Sequence, residues 1–144
     1  MEGKDFTPAE FLIAGLAILL GIIIAAPNFV IGTHDDFTAV SAIRGIINIQ
    51  SARNEYRQRF GKYASALREL GPQSAELIPA DLAAGKKNGY VYSLLTTQSG
   101  YQIEVHPDVF GEANKCRTFY SDQTQIIREN RGREPATAQS EAIR

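Results

Sequence analysis

Residues 11–26 read FLIAGLAILLGIIIAA, sixteen positions without a charged or hydrogen-bonding side chain, and PNFVIG carries the apolar character on to residue 32. At about 1.5 Å of rise per residue, some twenty residues span the roughly 30 Å hydrocarbon layer of a bilayer. The run is apolar on every face, whereas a helix packed on a soluble core carries a polar stripe. A membrane-spanning helix is therefore expected over 6–32. A cleavable signal peptide fits less well: the run is longer than the usual apolar region, Lys4 is the one basic residue before it, and Ile24 occupies a position where cleavage after Ala26 wants a small residue. Lys4 precedes the span, Asp35 and Asp36 follow it, and the next basic residue is Arg44. That asymmetry puts the N-terminus in the cytoplasm and the remainder across the membrane.

Beyond the span, residues 32–36 form a polar break, with Asp36 placed to cap a second helix. Val40, Ile43, Ile46, Ile47, Ile49, Tyr56 and Phe60 then recur at helical spacing up to Gly61. Arg44, Arg53, Arg57, Arg59 and Lys62 fall mostly on other faces and are expected to be solvated. Residues 62–89 read as a connecting loop in which Ala66, Leu67 and Leu70 suggest a helical turn ended by Gly71 and Pro72. Three runs follow, YVYSLL, YQIEVHP and CRTFYS, rich in aromatic and β-branched residues and separated by turn-forming segments. They predict an antiparallel meander, with a short fourth strand at Ile126 and Ile127 and the second helix covering one face. The fold class is thus α+β: a long N-terminal helix, half transmembrane and half amphipathic, on a small antiparallel sheet. A head domain is expected over 33–129. From 130 to 144 large apolar residues are nearly absent, so a disordered tail is expected.

Composition narrows the function. Fifteen Lys and Arg against sixteen Asp and Glu give a formal net charge of −1, so there is no global basic field to gather nucleic acid. Cys116 is the one cysteine, which excludes an internal disulfide, and with His34 and His106 it is thin material for zinc. Cys116 reads as a small buried hydrophobe and His106 as a structural or surface residue. Asp108, Glu112 and Asp122 lack the dense ligand loop of a calcium site. No nucleophile elbow, zinc-protease helix motif or phosphate loop occurs, so neither an enzyme nor a cofactor is expected.

The order of parts resembles the type IV pilins and pseudopilins, and specific residues carry the resemblance. Phe6, Thr7, Glu10 and Pro27 match the family's mature start: an aromatic residue followed by Thr, a Glu four residues after it, and a Pro twenty-one residues after it. Asn28 and Phe29, and the segments GKYASALREL, LIPADLAAGKKNGYVYSLL and CRTFYSDQTQIIRE, extend the likeness over residues 6–128. Residues 1–5 then correspond to a short leader, although Asp5 stands where the family has a Gly before the cut, and the nearest Gly is Gly3.

The resemblance implies a structural subunit of a pilus or secretion pseudopilus, polymerising through its N-terminal helix. It implies as partners copies of itself or other pilins, an inner-membrane assembly platform, a prepilin peptidase and membrane lipid. The chain would sit in the inner membrane by a single pass, then in a surface or periplasmic filament. Physically, an ionised carboxylate costs about 2–3 kcal/mol toward the bilayer centre, so Glu10 at the edge of the span asks for a cation. The resemblance supplies one, the N-terminal amine of a neighbouring subunit, with Phe6, Thr7 and Glu10 as the assembly residues. Gly21 and Pro27 bracket a stretch able to kink or melt. The alternative is a monomeric, membrane-tethered periplasmic binding or sensing domain of pilin-like shape.

Overall fold

The computed structural model describes residues 34–111 and 116–143, with side chains from residue 38 onward. The expected span over 6–32, and with it Phe6, Thr7, Glu10, Gly21 and Pro27, lies outside the described residues. Among those described, no helix is long and apolar enough to cross a membrane. The chain divides after Ile31, and the unit Gly32–Arg144 contains everything described below.

Helix α1 runs His34–Phe60, 27 residues or about 40 Å at the standard helical rise. Asp36 lies inside it, not at its cap. Its C-terminus is closed by Gly61, which takes φ 71° and donates its N–H to the Arg57 carbonyl at 2.8 Å, the left-handed ending that glycine permits. The buried stripe is Ala39, Ala42, Ile46, Ile49, Arg53 and Tyr56, recurring every three or four residues. Ile43 is partly buried against the core. Val40, Ile47 and Phe60, expected inside, are instead 47%, 46% and 52% exposed. The sheet explains the exchange. Tyr92 packs on Gly45, so the side of the helix that carries Gly45, Ile46 and Ile49 meets the sheet and the side that carries Val40 and Ile47 faces away, while Phe60 stands at the helix end.

Two short helical turns, α2 (Leu67–Leu70) and α3 (Ala80–Ala83), bury Leu67, Leu70 and Leu82 against the same core. α2 ends at Gly71, as Gly71-Pro72 predicts. The sheet has six strands in sequence order: β1 (Lys86–Lys87), β2 (Tyr90–Thr97), β3 (Gly100–Pro107), β4 (Arg117–Asp122), β5 (Arg128–Arg131) and β6 (Glu141–Ala142). Every neighbouring pair is antiparallel. Alternation sends Tyr90, Tyr92, Leu94, Tyr101, Ile103, Val105, Phe119 and Ser121 into the core, and the register lines up Tyr92, Val105 and Phe119 in one row. Strand β1 was not expected. It is set by Asn88-Gly89, both at positive φ, the two-residue turn favoured in tight hairpins.

The C-terminal region corrects two expectations. The strand expected at Ile126 and Ile127 begins directly after them, at Arg128. Where a disordered tail was expected over 130–144, residues 130–143 carry structure: β6 pairs back on β5, with Ile143 N donating to the Ile127 carbonyl at 2.9 Å. Thr118 Oγ1 donates to the Glu134 carbonyl at 2.7 Å, Asn130 Nδ2 to the same carbonyl at 2.9 Å, and Arg128 Nη1 to the Ser140 carbonyl at 2.9 Å. Ala136 is its one fully buried apolar residue. Order there comes from main-chain acceptors and strand pairing, which a count of large apolar residues does not register.

Candidate functional site

Arg53 follows Ile49 by four residues and precedes Tyr56 by three, so the helical period itself turns it toward the core. It is only 3% exposed, where a solvated residue was expected. Its guanidinium lies 3.7 Å from the Tyr101 ring centroid and 4.8 Å from that of Tyr63, a cation held between two aromatic rings. Nε donates to the Ala64 carbonyl at 3.4 Å. Nη1 is buried without a hydrogen-bond partner among the described residues. Burial pushes the guanidinium below its ordinary value, opposed by Tyr101; burial likewise pushes the Tyr101 phenol up, opposed by the Arg53 charge.

Beside this group is an open cavity of about 340 Å³ where four pieces of chain converge. Helix α1 contributes Arg53 and Asn54, the loop after it Tyr63, Ala64 and Ser65, the β2–β3 hairpin Thr96, Ser99, Gly100 and Tyr101, and the β4–β5 turn Gln123 and Gln125. The wall holds one cation, no carboxylate, and a set of hydroxyls and amides. The β4–β5 turn is braced by Asp122, whose Oδ1 accepts from Thr124 N at 2.9 Å and from Thr124 Oγ1 at 2.6 Å. From below, Gln50 Nε2 donates to Ser121 Oγ at 2.8 Å, which in turn donates to the Ile126 carbonyl at 2.9 Å.

The other sequence candidates are not gathered into a site. Asp108 pairs with Lys86 at 2.9 Å near the end of β3, while Asp122 faces Gln102 near its start, about 20 Å away by strand rise. Glu112 lies outside the described residues. Among the described residues no cluster of His, Cys, Asp and Glu is placed to hold a metal. Cys116 is buried, and His106 is exposed with its ring stacked on Phe110 at 5.9 Å. On the outward side of α1, Val40, Arg44 and Ile47 form a mixed apolar and basic stripe in the half of the helix that follows the apolar run. No protein-family model, no curated protein and no solved structure matches the chain.

Proposed function

We propose that this protein is a pilin-like structural subunit that polymerises through its N-terminal helix into a pilus or a secretion pseudopilus. The observation that carries the reading is the exposure of Val40 and Ile47 on α1, in the half that continues from the apolar run of residues 11–26. A helix serving only to cover its own sheet gains nothing from apolar residues on its far side, whereas a helix packed among copies does. The α+β arrangement of a long helix on an antiparallel meander, and the Phe6, Thr7, Glu10 and Pro27 register, support the same reading. The subunit would span the inner membrane once with its N-terminus cytoplasmic, interact with an assembly platform, a prepilin peptidase and membrane lipid, and act without enzymatic chemistry.

Glu10 provides the test. If its carboxylate pairs with a neighbour's N-terminal amine, Glu10→Gln leaves membrane insertion intact while sharply reducing incorporation into sheared filaments. Normal incorporation of the variant overturns charge pairing. The second reading, a tethered monomeric binding or sensing domain, is favoured by Asp5 in place of a Gly before Phe6. An unprocessed N-terminus by intact mass, with no filaments from the wild type, decides for it.

A further inference from the structure

A buried guanidinium is costly unless an anion or enough hydrogen bonds replace its water. Arg53 has neither in full. No Asp or Glu among the described residues forms an ion pair with it, its Nη1 is unpartnered, and its main compensation is the faces of Tyr101 and Tyr63, worth roughly 0.5–2 kcal/mol. Both rings that hold the guanidinium also line the cavity, which fixes the charge at its wall. The remaining lining is polar and uncharged: the hydroxyls of Ser65, Thr96 and Ser99 and the amides of Gln123 and Gln125.

We propose that this cavity binds a small hydroxylated carboxylate, its carboxylate set against Arg53 and its hydroxyls against the Ser, Thr and Gln side chains of the rim. Nε is held by the Ala64 carbonyl and Nη1 is buried, so the guanidinium offers a carboxylate its positive charge at the wall rather than a two-pronged pair of donors. No carboxylate lines the wall, and the acid that bears on it is Asp122, next to Gln123 and close enough to act on the Tyr101 phenol. A volume of about 340 Å³ is at the small end of ligand pockets and suits a molecule the size of a sugar acid. The mouth is built from the β2–β3 hairpin tip, which two-residue closure at Gln98-Ser99 holds in register, so the site is formed before the ligand arrives. Binding of this kind does not depend on polymerisation.

The experiment uses the full chain in mild detergent. Sodium glucuronate, glucose and sodium phosphate are titrated at constant ionic strength, with calorimetry for affinity and near-UV circular dichroism for Tyr63 and Tyr101. Glucuronate is expected to saturate with a dissociation constant in about the millimolar range or tighter, and glucose to bind at least about tenfold more weakly. Arg53→Gln should abolish the preference for glucuronate. Because Arg53→Gln touches the core, Thr96→Trp is the second variant: it crowds the exposed mouth and should weaken glucuronate at least about tenfold with an unchanged melting curve. The proposal is overturned if glucuronate fails to saturate by about 20 mM, if glucose binds equally well, or if Thr96→Trp is without effect. Phosphate binding as tight as glucuronate overturns the carboxylate assignment. Tighter binding of an acetylated Gly-Glu-Gly amide overturns the small-molecule assignment in favour of a protein side chain.

Discussion

Gly45 sits in the middle of α1, where alanine would normally be the better helix former by about 1 kcal/mol. The packing reverses that expectation. A Cβ at Gly45 would lie 2.6 Å from Tyr92 Cε1, 2.6 Å from its Oη and 2.7 Å from its Cζ, when carbon atoms prefer about 3.5–4.0 Å. Tyr92 cannot swing out, since it is 3% exposed in a closed core row with Val105 and Phe119. Forcing extra volume into such a place costs about 1–3 kcal/mol. Gly45→Ala should therefore destabilise by about 0.5–2 kcal/mol net, a fall in Tm of about 3–10 °C for a domain of this size.

Tyr92→Phe supplies the cycle. It removes Oη, which is both one of the three clashing atoms and a buried hydroxyl with no hydrogen-bond partner among the described residues. Alone it should be neutral or stabilising by up to about 1 kcal/mol. In the Gly45→Ala background it should recover more than it gives alone, with a coupling of about 0.5 kcal/mol or greater. Thermal and urea unfolding by circular dichroism measure both, the near-UV signal reporting tyrosines because the chain has no tryptophan. A rise in Tm for Gly45→Ala, or strict additivity in the cycle, refutes the close-contact argument.

Burial pushes the Tyr92 phenol up to about 12, so the folded state holds that proton more tightly than the unfolded chain does; stability should fall between pH 10 and about 12, and less steeply in Tyr92→Phe. At the acid end, burial would raise Glu129, but hydrogen bonds and charge from Arg117 and Arg131 outweigh it and hold the carboxyl below its ordinary range. Its contribution is thus present above about pH 4.5 and lost as pH falls further; Glu129→Gln should be less stable than wild type at pH 7 and lose less on acidification, and parallel pH profiles would contradict this. Truncation after Asn130 should remove about 1–2 kcal/mol and lower Tm by about 5–10 °C, because the segment pairs with β5 and caps Thr118; a change within about 2 °C would show that this pairing adds nothing. A fragment of residues 33–144 should fold cooperatively without the apolar run, and its aggregation or non-cooperative melting would show that the head needs the preceding segment.

The three central strands and the body of α1 were legible because period-two and period-three-to-four patterns have direct geometric causes. Size misled the reading of the helix. Val40 and Ile47 are larger than Ala39 and Ala42, but the Tyr92 ring packed on Gly45 decides which side of the helix meets the sheet, and a single segment's pattern does not contain its partner's volume. Strand β1 is marked in the sequence by Asn88-Gly89, a hairpin signal standing inside a segment whose other residues read as a loop. Arg53 stands in register with Ile49 and Tyr56, but a charged side chain ordinarily faces water, so its place in the cavity wall is carried by its helical position and not by its residue type. The ordered 130–143 segment leaves little apolar trace beyond Ala136 and Ile143, since most of its bonds end on backbone carbonyls.

Strand order equal to sequence order has a kinetic consequence. Each strand pairs with the one made just before it, and the connections are short, from two residues between β2 and β3 to nine between β3 and β4 and between β5 and β6. Loop-closure entropy rises with the logarithm of loop length, so these hairpins close early and cheaply. The helix joins its sheet across much longer separations, as between Gln50 and Ser121, 71 residues apart. Docking of α1 is therefore expected to be the late step, with the row of Tyr92, Val105 and Phe119 facing water until it happens. A substitution that slows docking without altering the sheet, Gly45→Ala first among them, should lengthen the life of that sticky intermediate and lower the yield of folded protein by more than its equilibrium cost alone accounts for.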